Sequence, residues 1–160
     1  MDKSRIDLLQ KALQVHEIGG WLFYDVDHRC PVSYRVLGLT TKGHTSRRWF
    51  YFVPAVGEPI GLTHVVESAK LNSLPGKLCH YLSWRELEER LKEMLAGVKT
   101  VAMQYSKKAA IPSVSFVDGG TVELIQSLGV EVVTSADLVQ EFEATIDEDG
   151  YESHLRAAAK

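Results

Sequence analysis

Apolar positions open the chain at helical spacing: Ile6, Leu8, Leu9, Ala12, Leu13, Val15 and Ile18, with charged residues between them. That period predicts an amphipathic helix, with Ser4 as its cap and Gly19-Gly20 as its stop. Trp21-Leu22-Phe23-Tyr24 has no polar alternation and predicts a strand buried on both faces. A polar loop over 25–31 follows, then a short helix that Pro31 opens and Gly38 ends. The aromatic run over 47–53, ended by Pro54, predicts the strongest strand, with a returning strand over 59–63 to make a hairpin.

The second half alternates more regularly. A short helix is expected over 65–71 and a strand over 78–82. Ser83-Trp84-Arg85-Glu86 has the spacing of a capping box, opening a helix with Leu87, Leu91, Met94 and Leu95 on one face. Thr100-Val101-Ala102-Met103 predicts a buried strand, and Val122, Leu124, Ile125 and Leu128 a helix ended by Gly129. Val130-Glu131-Val132-Val133 predicts a last strand, and Ser135 caps a helix through Phe142. The expectation is an α/β domain with a mixed sheet of five or six strands flanked by helices.

From Asp147 to Lys160 the chain reads as a helix start, with acidic residues suited to the positive end of a helix dipole. A short polar helix is marginal alone. The division expected is therefore a domain over 1–146 and, over 147–160, a helix leading into a further domain.

Composition narrows the functional classes. A net charge of −3 provides no basic field for nucleic acid. No apolar run reaches the length of a membrane span, and the N-terminal residues lack the pattern of a signal peptide. Two cysteines, Cys30 and Cys79, are too few for a disulfide framework, which favours a reducing, cytoplasmic setting.

Three constellations could carry chemistry. Asp25-Val26-Asp27, at the end of an apolar strand, is similar to the opening motif of magnesium-dependent phosphohydrolases, where one Asp attacks phosphorus and the other handles a proton. Asp118-Gly119-Gly120-Thr121 can offer a helix N-terminus to a phosphate, or simply cap that helix. The basic group Lys42, His44, Arg47 and Arg48, beside Trp49, can bind a carboxylate or peptide through arginine forks and an aromatic face. A small phosphohydrolase using Asp25 and Asp27, and a stand-alone carboxylate- or peptide-binding module, are the readings these residues support.

The order of segments also resembles a known family. The Trp-Leu-Phe-Tyr strand is followed by Arg35-Val36-Leu37-Gly38-Leu39 and by the aromatic stretch from Arg47 to Pro59. Tyr81-Leu82-Ser83-Trp84 and Val101-Ala102-Met103-Gln104 come next. The stretch from Ser127 to Glu143 then joins a Gly-Val-Glu-Val strand to a Ser-Ala-Asp-Leu cap and a helix. Together they resemble the N-terminal domain of the creatinase/prolidase/aminopeptidase P metallopeptidases. Two stretches depart from it: Pro31 to Gly38 lacks an Asn common in the family, and an Arg-x-Ile-Lys stretch reads Glu143-Ala144-Thr145-Ile146 here.

The resemblance implies a ribonuclease-H-like fold that is not itself catalytic. It implies a following catalytic domain with two divalent metals, manganese or cobalt, held by Asp, Asp, His, Glu and Glu ligands that have no counterpart in this chain. No catalytic or metal residue carries over. The implied partners are the chain's own C-terminal catalytic domain, a second copy in a homodimer, and a proline-containing peptide as substrate of the intact enzyme. His44, Arg47, Arg48 and Trp49 are the residues expected to contact substrate.

Overall fold

The computed structural model describes residues 3–144 and 148–158. Six strands form one sheet: β1 (Gly20–Asp25), β2 (Trp49–Pro54), β3 (Ile60–His64), β4 (Lys77–Tyr81), β5 (Thr100–Met103) and β6 (Glu131–Thr134). Their order across the sheet is β4-β3-β2-β1-β5-β6. β2 runs antiparallel to both β1 and β3, which makes the expected hairpin, while β1/β5, β5/β6 and β3/β4 are parallel pairs.

Helices cover both faces. α1 (Lys3–Val15), α2 (Pro31–Leu37) and α5 (Ala136–Glu143) contribute Leu9, Leu13, Val36 and Leu138 to one core, beneath Trp21, Phe23, Trp49 and Tyr51. α3 (Trp84–Met94) and α4 (Gly119–Ser127) contribute Leu87, Leu91 and Ile125 to the other, beneath Leu22, Tyr24, Phe50 and Phe52. Successive residues of β1 and β2 therefore enter opposite cores, and every position of β1 is buried. Two-sided cover explains why these strands read as unbroken apolar runs.

Several local expectations are corrected. α1 begins at Lys3, so Ser4 lies inside the helix, and Leu8 and Val15 face solvent at 55% and 74% exposure. Glu17, in the left-handed region at φ 55°, makes the turn after α1. Gly20 belongs to β1 for a different reason: a Cβ there would stand 2.2 Å from the Phe52 ring. The helix expected over 65–71 is only a 3-10 turn at Val65–Glu67.

Other caps also differ from expectation. Ser83 caps α3 by accepting from Glu86 N at 3.2 Å, but the Glu86 carboxylate reaches back to Leu82 N rather than to Ser83. The Ser135 side chain makes no capping bond; the Thr134 hydroxyl accepts from Ala136 N at 3.2 Å instead. Ahead of α4, which starts at Gly119, the Phe116 and Val117 N–H groups both donate to the Gln104 carbonyl at 2.9 Å.

A last helix, α6 (Glu148–Ala158), follows and leaves Tyr151 and Leu155 exposed. The expected boundary between 146 and 147, and Thr145-Ile146 of the departing stretch, lie outside the described residues. Among the described residues, no helix is long and apolar enough to cross a membrane.

Candidate functional site: a cleft between the starts of α3 and α4

Asp25 ends β1 with its carboxylate inside the protein, at 1% exposure. Two successive residues in the left-handed region, Asp27 and His28 at φ 57°, fold the following loop back over it. Cys30 N donates to Oδ1 at 2.8 Å, while His28 N at 3.1 Å and the Tyr34 hydroxyl at 2.8 Å donate to Oδ2. A buried carboxylate held by three donors is a structural anchor. Sealed under its own loop it has no path to a phosphorus atom, and Asp27 sits outside on the exposed turn. The geometry thus overturns the phosphohydrolase expectation for Asp25 and Asp27. Cys30, on the same loop, is buried too, and burial pushes its thiol up from the ordinary value.

The basic group is not one site. Trp49 is 1% exposed and packs edge-on against Tyr34, with ring centroids 5.9 Å apart. This corrects the expectation that Trp49 touches a substrate: strand alternation turns its indole into the core. His44 lies on an exposed loop beside a groove that Lys42 and Lys70 also line. Glu67 pins the end of that loop, accepting from Ser46 N and Oγ at 2.8 Å each and from Arg47 N at 3.2 Å. Burial works against its charge, yet these bonds prevail and hold the Glu67 carboxyl below the ordinary value. Arg47 is exposed beside it.

Arg48 goes elsewhere. Its carbonyl accepts from the Tyr81 hydroxyl at 2.8 Å, and its side chain lines a cleft of about 570 Å³ between the starts of α3 and α4. Arg29, from the loop after β1, lines the same cleft, as do Trp84 and Glu88 from the first turns of α3. The cleft floor includes Tyr24 of β1 and the Asp118–Thr121 turn. Two groups read separately in the sequence, Arg48 and this glycine-containing turn, therefore meet here.

The turn serves its own helix. Asp118 Oδ1 accepts from Thr121 N at 2.9 Å, and Oδ2 accepts from the Thr121 hydroxyl at 2.8 Å and the Tyr24 hydroxyl at 3.0 Å. Partial burial alone would raise the Asp118 carboxyl, but these bonds outweigh it and hold it below the ordinary value. Burial raises the Tyr24 hydroxyl, which stays protonated as the donor. Asp118 is thus the N-cap of α4, and it occupies the position a bound phosphate would need.

Sequence reasoning missed Arg29, Glu88 and Trp84. Only Trp84 carried a usable signal, being a large aromatic at the first position of a helix whose buried face begins at Leu87. Among the described residues, no group of three or more His, Cys, Asp and Glu side chains could hold a metal ion. The described residues therefore do not fit the two-metal centre that the resemblance assigns to a following domain.

No family model matches the sequence, and no curated protein is significantly similar to it. Solved structures do resemble it. The creatinase/prolidase N-terminal domain of an X-Pro dipeptidase from Streptococcus pyogenes is 14% identical at a TM-score of 0.65, with 88% of this chain and 99% of that one covered. A prolidase from Thermococcus sibiricus is 16% identical at a TM-score of 0.66, with 99% and 41% covered. The prolidase from Pyrococcus horikoshii is 11% identical at a TM-score of 0.63, with 94% and 38% covered. The chain thus spans about two fifths of each whole prolidase and nearly all of the isolated domain. On sheet order, helix cover and these matches, the chain has the mixed α/β fold of a creatinase/prolidase N-terminal domain.

Proposed function

We propose that this chain is the non-catalytic N-terminal domain of a two-metal Xaa-Pro peptidase of aminopeptidase P or prolidase type. The observation that carries the reading is the match over 88% of this chain to a domain that is itself the front part of an X-Pro dipeptidase. Tyr151 and Leu155, large apolar side chains one turn apart on the exposed α6, support a face that a further domain would cover. In this reading the domain contributes to a homodimer and to the shape of the substrate pocket. His44, Arg47 and Arg48 remain as polar contacts at accessible positions. The two metals, manganese or cobalt, belong to the catalytic domain, and the intact enzyme is cytoplasmic.

Assaying the purified chain on Xaa-Pro dipeptides, with manganese and then cobalt added, tests the non-catalytic assignment. No hydrolysis above the metal blank is expected. Metal-dependent turnover that co-purifies with a homogeneous chain would overturn it.

A further inference from the structure

Three charged side chains that line the α3/α4 cleft have no ion-pair partner among the described residues. Among the described residues, neither Arg29 nor Arg48 forms an ion pair, and neither does Glu88. Arg48 is half-buried, so its guanidinium is partly desolvated without a carboxylate to compensate. Asp118, also on the cleft, forms no ion pair with either arginine; its oxygens accept from Thr121 and Tyr24. Two arginines and one glutamate without an ion-pair partner thus line a cleft of about 570 Å³, within the usual size of small-molecule sites.

The walls add an apolar component. Trp84 is 65% exposed, although the Arg85 guanidinium lies 5.4 Å from its ring centroid. Leu87 and Leu124 line the cleft beside it. A polyanion such as a nucleotide fits poorly, since Glu88 and Asp118 would both oppose it. A neutral apolar ligand would leave the guanidinium groups uncompensated. The complement is a molecule with one carboxylate, one ammonium and a modest apolar group.

We propose that this cleft binds a small zwitterion, an α-amino acid or dipeptide with an apolar side chain. Its carboxylate lies between Arg29 and Arg48, its ammonium at Glu88 and its side chain against Trp84. Arginine forks suit a carboxylate, and a charge-assisted pair at each end fixes the orientation. The proposal does not depend on the peptidase reading, because a chain that binds no amino acid can still be the front domain of a peptidase.

Calorimetric titration of the whole chain with L-leucine and with leucyl-leucine tests it, and the stronger binder identifies the ligand's size. One site per chain is expected, in the roughly millimolar range or tighter. Trp21 and Trp49 are almost fully buried, so a change in tryptophan emission on binding reports Trp84. Leucinamide lacks the carboxylate and N-acetylleucine the ammonium; each is expected to bind about tenfold more weakly or worse. Arg48→Gln and Glu88→Gln should produce matching losses while keeping the wild-type melting temperature, with Arg29→Gln in reserve should Arg48→Gln misfold. Absence of heat and of emission change with both zwitterions overturns the proposal. So does undiminished binding by the folded Arg48→Gln and Glu88→Gln variants, or tighter binding of inorganic phosphate than of leucine.

Discussion

Asp25 ends a strand and Asp118 starts a helix, and their surroundings give them opposite characters. Asp25 is sealed under its own loop, and three donors depend on it. Asp25→Ala would strand those donors and should cost about 3 kcal/mol or more. Urea denaturation at neutral pH reads this directly. A variant as stable as the wild type would mean that the carboxylate is strained rather than supporting.

Asp118 gives a pH signature instead. Its folded-state pKa lies below the ordinary value, so the stability it contributes is present above the unfolded pKa. That contribution is lost as pH falls through the folded value. Asp118→Ala should cost about 1 kcal/mol near neutrality, as for other helix caps. The gap between wild type and variant should close in acid, below the ordinary carboxylate value of about 4. Denaturation midpoints of both proteins across that range check it, and a gap that persists unchanged in acid would remove Asp118 as the charged cap.

At the scale of elements, the strands were more legible than their ends. β1 and β2 carry unbroken apolar and aromatic runs because both faces are covered, and that pattern is local to each strand. Helix starts were less legible because capping is decided by which side chain reaches which N–H. Ser83 is recoverable, whereas Ser135 makes no capping bond and the Thr134 hydroxyl accepts from Ala136 N. Trp49 was read as a surface aromatic because it follows two arginines in sequence, and only its strand register turns it inward. Arg48 and Thr121 lie far apart in the chain, and no local pattern could have shown that they share a cleft.

Packing between elements also separates two glycines that look alike in sequence. A Cβ on Gly20 would stand 2.2 Å from the Phe52 ring and 2.9 Å from the Val53 carbonyl, within the paired β1 and β2. Gly38 ends α2 in the left-handed region at φ 64°, with open space around it. Gly20→Ala should therefore cost about 2 kcal/mol or more through overpacking. Gly38→Ala should cost only about 1 kcal/mol through backbone strain. Thermal or urea unfolding of the two variants gives the order, and the reverse order would contradict the close β1/β2 contact.

For the molecule as a whole, the fold and the chemistry point to different places. The sheet with its two cores is that of a domain found at the front of X-Pro dipeptidases, while the open charges gather in a cleft without a metal-binding constellation. The peptidase reading therefore places catalysis in a second domain, and the most direct test compares this chain with the protein that cells make. Hydrolysis of an Xaa-Pro dipeptide would be measured side by side, with manganese or cobalt, for the purified 160-residue chain and for the native protein captured by an antibody against it. The account predicts metal-dependent turnover by the native protein and none by the chain alone. Turnover by the chain, or none by the native protein, would contradict it.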